Sequence, residues 1–128
     1  MPDSALGRWL KGLREDRGLS LREVAHRAGV DHAYVHRLET GAKEDPSGEV
    51  IEKLITALTP SPRDAEILRV LAGLPNVDPG LTDFARADHT VSAREVHVLT
   101  TVVNRGARAD YATSLARIRK FMSEDENG

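Results

Sequence analysis

The chain has 128 residues and a mass of 14.0 kDa, which suits one ordinary domain or two very small ones and excludes a large multidomain enzyme. Aromatic residues make up 4% of the sequence, apolar residues 40% and charged residues 30%, a balance that favours amphipathic helices over sheets. The sequence contains no cysteine, which excludes disulfides, thiolate zinc ligands and thiol nucleophiles. No apolar run approaches about 18 residues and no signal peptide is recognisable, so we expect a cytoplasmic protein without membrane contact.

The net charge of −2 hides an uneven distribution along the chain. Seven basic and four acidic residues lie between positions 8 and 37, which gives this stretch a charge of +3. Acidic residues are concentrated instead at 44–52 and 124–126. The basic stretch is either an ordinary solvated helix face or a surface for an anionic partner.

Capping residues and helical spacing predict an all-α fold. A serine followed three residues later by an acid predicts helix starts at Ser20, Ser61 and Ser92, and softer starts are indicated by residues such as Asp110. Apolar residues recur every three or four positions behind these starts. The predicted helices cover residues 4–17, 20–28, 31–39, 48–58, 62–73, 80–86, 93–103 and 111–123.

A proline-rich stretch after the fifth predicted helix indicates a domain boundary. Residues 74–80 contain two prolines and one glycine, which cannot continue a helix. We therefore expect a five-helix domain over 1–73, a linker over 74–79 and a small three-helix domain over 80–128.

The C-terminal segment is predicted to dimerise, because so short a segment buries little surface on its own. The alternative is that its apolar stripes pack on the N-terminal domain. The predicted interface residues are Val96, Leu99, Val103, Tyr111, Leu115, Ile118 and Met122.

The second and third predicted helices form a helix-turn-helix. The turn at 28–31 is too short for anything but a near-perpendicular crossing. Gly29 supplies the backbone conformation that other residues resist, and the apolar Val30 fills the corner. The second helix of the pair is predicted to bury Val35 and Leu38 and to expose the opposite face.

Three motifs in this region, GLSLREVA at 18–25, AGV at 28–30 and LETG at 38–41, resemble the Cro/C1-type (XRE) helix-turn-helix family. The resemblance covers about residues 6–72 and implies a lambda-repressor-like domain whose third helix enters the major groove of double-stranded DNA. The alternative is a protein-interaction module with the same fold. The resemblance implies that bases are read by His32, Ala33 and Arg37. A guanidinium at Arg37 is suited to pair with guanine.

The resemblance also implies which residues contact phosphates or flank the recognition helix. These are Ser20, Leu21, Arg22, Tyr34, His36, Thr40 and Lys43. Many family members carry glutamine where this sequence has Leu21, and this sequence contains no glutamine at all. Either Arg22 compensates for that loss or the affinity of each subunit is modest. The family binds as homodimers to two half-sites about 34 Å apart.

The C-terminal part resembles the DdrO-type repressors at 79–85, 92–99 and 104–108. That resemblance implies a dimerisation domain that an ImmA/IrrE-type metallopeptidase cleaves, which releases DNA damage-response genes. The expected scissile bond is Asn104–Arg105. The sequence departs from the pattern because it has no tryptophan near the start of the last helix, where Tyr111 stands.

Other function classes are less well supported. We expect no catalytic residues, no metal and no cofactor, because the sequence has no HExxH motif, glycine-rich phosphate loop or serine-centred elbow. His32 and His36 are one turn apart, as metal ligands can be, but are interpreted as groove-facing polar residues. The main alternative to a dimeric repressor is an antitoxin that binds a cognate toxin and represses its own operon. A phage or mobile-element immunity repressor is a further alternative.

Overall fold

The computed structural model describes residues 4–101 and 110–127, and over these residues all regular secondary structure is helical. The all-α fold predicted from the sequence is therefore confirmed. The helices are α1 (Ala5–Asp16), α2 (Leu21–Ala28), α3 (His32–Thr40), α4 (Gly48–Leu58), α5 (Pro62–Ala72), α6 (Pro79–Ala87), α7 (Ala93–Leu99) and α8 (Tyr111–Asn127).

Side-chain caps define where the helices begin. The cap at each of the eight helix starts in the described residues accepts a hydrogen bond from a backbone N–H two or three residues later. The capping residues are Ser4, Ser20, Asp31, Ser47, Ser61, Asp78, Ser92 and Asp110. The predicted capping boxes at Ser20 and Ser92 are complete. The capping box predicted at Ser61 is incomplete. The Ser61 hydroxyl accepts from the N–H of Asp64, but the Asp64 carboxylate accepts from Arg63 at 3.0 Å and not from the N–H of Ser61.

The last two helices differ from their predicted lengths. α7 ends at Leu99, not at residue 103, and the hydroxyls of Thr100 and Thr101 donate to carbonyls three residues earlier. Threonine hydroxyls that bond to nearby carbonyls compete with the helical backbone pattern. α8 continues to Asn127, four residues beyond its predicted end.

α1 lies at the centre of the packing, against α3, α5 and α6. α2 packs between α3 and α4, and α7 packs on α5 and α8. Helices on both sides of the predicted linker at 74–79 contribute to one hydrophobic core, which runs from Ala5 to Leu115. The division of the chain into two domains at this linker stays a prediction.

Arginines reinforce the contact between the first five helices and the last three. Arg63 at the start of α5 donates from Nη2 to the carbonyls of Ala85 and Asp88 at 2.6 and 3.0 Å, and from Nε to the carbonyl of Val91 at 2.8 Å. Its guanidinium also lies over the ring of Trp9, 5.9 Å from the centroid. The loop between α6 and α7 is thereby tied to α5 and α1. Two ion pairs add to this contact, Arg8 with Asp83 at 2.6 Å and Arg86 with Asp16 at 2.5 Å.

Candidate nucleic-acid interface

The turn between α2 and α3 sets the direction in which α3 continues. Gly29 has φ 70° and ψ 34°, in the left-handed region where an L side chain is strained. The next N–H, that of Val30, donates to the carbonyl of Ala25 at 3.0 Å and closes the turn. α3 then starts at the cap Asp31, whose carboxylate accepts from the N–H of Ala33 at 2.9 Å.

The inner face of α3 is held by apolar packing and by an ion pair. Val35 and Leu38 are completely buried in the core. At the end of the helix, Nε and Nη2 of Arg14 donate to the two carboxylate oxygens of Glu39 at 2.7 and 2.9 Å. The side chains of Arg14 and Glu39 are 15% and 4% exposed. Hydrogen bonding to Glu39 raises the pKa of Arg14, which further stabilises the charged form of this guanidinium.

α1 and α3 approach closely at Gly7. A Cβ atom added there would collide with the main-chain carbonyl oxygens of Leu38 and Glu39. Only glycine therefore permits this backbone approach. Together with the ion pair, it fixes α3 against α1 at two points.

The outer face of α3 carries the residues predicted to read bases. His32, Ala33 and Arg37 are all exposed, as is His36 one turn after His32. His32 and His36 are four residues apart, as are Ala33 and Arg37, so the members of each pair are neighbours on the outer surface of α3. The Nδ1 atom of His32 lies 3.7 Å from the carboxylate of Asp31.

The residues predicted to contact phosphates or to flank the recognition helix differ in their exposure to solvent. Tyr34 is half-buried and packs against the core, whereas Lys43 is exposed. The backbone N–H of Lys43 donates to the carbonyl of Arg37 at 3.0 Å, which keeps the lysine close to the end of α3. Thr40 is half-buried, and its hydroxyl donates to the same carbonyl at 3.3 Å.

The N-terminus of α2 is partly occupied by its own capping box. The carboxylate of Glu23 accepts from the backbone N–H of Ser20 at 3.1 Å, and hydrogen bonds from Ser20 lower the pKa of Glu23. A negative charge therefore already lies at this helix start. Leu21 is half-buried against the core, so the exposed cation at this end is Arg22.

Only some of the basic side chains between residues 8 and 37 are available to a partner, because others already have partners within the chain. Arg8 and Arg14 form ion pairs with Asp83 and Glu39, and Arg17 donates to the main-chain carbonyls of residues 13 and 59. Within the described residues, three exposed arginines of this stretch make no ion pair, namely Arg22, Arg27 and Arg37. Lys11 on α1 is also exposed without an ion pair among the described residues, so the unpaired charge of this stretch lies mainly, but not wholly, on α2 and α3.

The residues predicted to form a dimer interface lie in several environments. Four of them are buried in the core of the single chain, namely Val96, Leu99, Tyr111 and Leu115. Ile118 and Met122 are half-buried. Val103 and the expected cleavage site Asn104–Arg105 lie outside the described residues. The assignment of this set to a dimer interface stays a prediction.

Sequence reasoning missed two features of this region. The Arg14–Glu39 ion pair was not predicted, because charged residues on helices usually face solvent. A signal for it was present, since both positions are three or four residues from buried leucines or valines. The large exposed side chain of Phe121 was missed because it lies beside the apolar stripe of α8 and not within it.

Over residues 4–101 and 110–127, no group of three or more His, Cys, Asp or Glu residues is placed to hold a metal ion. None of the helices there has both the length and the apolar character needed to cross a bilayer.

A glycine turn, a buried inner face and an exposed polar outer face together define α2 and α3 as a helix-turn-helix unit. The family model for the helix-turn-helix domain matches residues 5–66 of this chain. Two curated relatives are similar over 98 residues at 30% identity, covering 75% of this chain and 67% of each relative. Both are described as an uncharacterized HTH-type transcriptional regulator, one from Mycobacterium tuberculosis strain CDC 1551 / Oshkosh and one from strain H37Rv. The chain belongs to the HTH-type transcriptional regulators.

Proposed function

We propose that this protein is a sequence-specific transcriptional repressor that binds double-stranded operator DNA through α3, as a dimer on a palindromic site. The observation that carries the proposal is the outer face of α3. Arg37 is exposed there between His36 and the end of the helix and makes no ion pair with any described residue. A free guanidinium on a rigid helix is suited to pair with the O6 and N7 atoms of guanine.

Contacts to the DNA backbone are assigned to cations beside α3. Lys43 is held near the end of α3 by the hydrogen bond from its N–H to Arg37, and Arg22 is exposed in the first turn of α2. Such contacts position a protein on DNA without reading its sequence. Because Glu23 already occupies the N-terminus of α2, Arg22 is the phosphate contact on that side and Ser20 contributes little.

The test is binding to the DNA upstream of the protein's own gene, compared with random DNA at fixed, near-physiological salt. We expect a specificity ratio above about 10³ with two subunits on each palindrome. Arg37→Ala should weaken specific binding by about 1–3 kcal/mol and relax the base preference at one position. Lys43→Ala should weaken binding to all sequences about equally and reduce the salt slope by about 1.

Arg94→Ala, on the exposed surface of α7, is the matched control and should change neither quantity. Equal effects of Arg37→Ala on specific and random DNA would contradict base reading by α3. If this protein binds a toxin but shows no preference for the operator over random DNA, the antitoxin alternative is favoured.

We also propose that the repressor is DdrO-like and is inactivated by proteolysis between α7 and α8, at Asn104–Arg105. The support is the position of α8, which inserts Tyr111 and Leu115 into the core and begins six residues after Arg105. Cleavage would release α8 and weaken binding through loss of the second half-site. A chain ending at Asn104 should therefore lose palindrome binding, and if circular dichroism shows that α1 to α5 stay folded in it, it should keep the affinity for a single half-site. Unchanged palindrome binding would exclude this mode of inactivation.

A further inference from the structure

A cleft of about 240 Å³ lies where α1, the start of α5 and the end of α6 meet. Its lining includes Trp9 and Asp16 of α1, Asp64 of α5, Arg86 of α6 and His89 in the loop that follows. Sites for drug-sized ligands begin at about 300 Å³. The size of the cleft therefore points to a small metabolite and not to a nucleotide.

One wall of the cleft is fixed by its own hydrogen bonds. The side chain of Trp9 is almost completely buried, and its Nε1 donates to the main-chain carbonyl of Asp64 at 3.1 Å. Arg63 lies over this ring, and each of its three guanidinium nitrogens already donates to an acceptor within the chain. Arg63 therefore belongs to the wall, and the other charged side chains are the groups that could hold a ligand.

These other side chains keep hydrogen-bonding atoms that are free. Arg86 donates only from Nη2, to Oδ1 of Asp16 at 2.5 Å, and Asp64 accepts only at Oδ1, from Arg63. Within residues 4–101 and 110–127, the second carboxylate oxygen of each aspartate has no hydrogen-bond partner. His89 is exposed and has no partner in the same part of the chain.

The charges of the cleft disfavour a ligand of a single sign. Two arginines and two aspartates line it, so an isolated anion is repelled by the aspartates and an isolated cation by the arginines. A ligand that carries both charges can pair with both kinds of side chain. A free α-amino acid is such a zwitterion, and its size suits the cleft. Its ammonium group can donate to Asp64, and its carboxylate can accept two parallel hydrogen bonds from Arg86.

Arg86 can turn to such a carboxylate at little cost to the fold. Its ion pair with Asp16 joins side chains that are 48% and 53% exposed, and ion pairs of this kind contribute little stability. A Cβ atom on Gly12 would collide with the guanidinium of Arg86, so this group lies directly against the backbone of α1. The guanidinium is thus already placed inside the cleft.

We propose that this cleft binds a free α-amino acid, with its ammonium group on Asp64 and its carboxylate on Arg86. The site shares no residue with the recognition surface on α2 and α3. It is a second binding site, for a small molecule, and it does not depend on the proposed function.

The only tryptophan of the chain, Trp9, lines the cleft, so its fluorescence reports on binding there without a label. The full chain is titrated without DNA with each common L-amino acid except tryptophan, up to about 10 mM. We expect a saturable change with at least one of them and a Kd below about 1 mM. The methyl ester and the N-acetyl derivative of that amino acid each lack one charge and should bind at least about tenfold more weakly. Absence of a saturable change, or equal binding of both derivatives and the amino acid, would overturn the proposal.

Two variants of the cleft assign the two ends of the ligand. Arg86→Gln should weaken binding of the amino acid and of its N-acetyl derivative about tenfold, and should leave the methyl ester unaffected. Asp64→Asn should do the reverse, because it removes the partner of the ammonium group and not that of the carboxylate. A general loss of structure would weaken all three compounds alike, so this crossed pattern is specific to the site.

Arg94→Gln is the matched control, since Arg94 is an exposed arginine on α7 outside the cleft. This variant should bind the amino acid and both derivatives as wild type does. Equal losses in Arg86→Gln and Arg94→Gln would overturn the assignment of the ligand to this cleft. Because the titrations contain no DNA, their outcome is independent of whether the chain is a repressor.

Discussion

Arg14 at the end of α1 and Glu39 at the end of α3 form a two-point ion pair that is almost closed to solvent. The remaining terminal nitrogen of Arg14 donates to the carbonyl of Leu19 at 2.9 Å. One guanidinium therefore connects α1, the loop before α2, and α3. The position of the recognition surface depends on this connection, because it holds α3 against α1 and against the loop before α2.

Removing one partner of this pair is expected to be costly. Glu39→Ala leaves Arg14 largely buried without its counter-ion, so the free energy of unfolding should fall by about 3–5 kcal/mol. Urea denaturation followed by circular dichroism measures the loss. The double variant Arg14→Met with Glu39→Leu removes both charges and should recover most of the stability. If the double variant is as unstable as Glu39→Ala, the ion pair contributes net stability that apolar side chains at these two positions cannot replace.

Gly7→Ala should destabilise the fold by about 1–3 kcal/mol, because its Cβ would push against two main-chain carbonyl oxygens of α3. The carbonyls cannot rotate away as a flexible side chain would. Gly48→Ala is the control: Gly48 is also in the first turn of a helix, and a Cβ there meets nothing within 4 Å. This variant should be neutral or slightly stabilising. The melting temperatures of Gly7→Ala and Gly48→Ala, measured by thermal unfolding, test this prediction. Equal melting temperatures for the two variants would contradict a tight contact between α1 and α3.

Local signals explain why so much of this fold was predictable. Each helix start is fixed by a cap such as Ser20 or Ser92, and that chemistry is complete within four residues of sequence. The helix ends were less certain, as α7 shows, because threonine hydroxyls compete for the carbonyls there. The exposure of Arg37 was predictable for a similar reason, since Val35 and Leu38 fix the opposite face of α3.

Interactions between distant residues were beyond prediction from one sequence. Arg8 belongs to the basic stretch but is paired with Asp83, 75 positions away, so summing charges along the chain overstated the basic surface. The four residues of the C-terminal stripes that are buried could have faced either their own chain or a partner. Their hydrophobic spacing is the same in both cases.

Arg63 is predicted to hold the last three helices against the first five. Arg63→Ala removes three hydrogen bonds to main-chain carbonyls, one in the last turn of α6 and two in the loop between α6 and α7, and we expect a loss of about 2–3 kcal/mol in unfolding free energy. Arg63→Lys should not rescue it, because an ammonium cannot reproduce the planar set of donors. Hydrogen exchange should show faster exchange of the backbone amides at 85–91. The control Arg94→Ala should leave these amides protected, and unchanged protection in Arg63→Ala would remove this arginine from the contact.

Glu95 should make part of the stability dependent on pH. Its carboxylate accepts from Arg119 at 2.8 Å and from the N–H of Ser92 at 2.8 Å, and the hydrogen bond from Arg119 is the main cause that lowers its pKa below the ordinary 4.5. A carboxyl with a lowered pKa in the folded state contributes stability above its unfolded pKa. That contribution is lost as the pH falls through the folded-state value.

Glu95→Gln isolates this charge, because glutamine can still complete the capping box with Ser92. We expect the variant to be about 1 kcal/mol less stable than wild type at pH 7, with the difference shrinking as the pH falls below about 4. Urea denaturation at a series of pH values measures the two curves. Glu44→Gln, at an exposed acid without an ion pair among the described residues, should run parallel to wild type throughout. A Glu95→Gln curve that also stays parallel would mean that the link between α7 and α8 through Arg119 contributes no net stability.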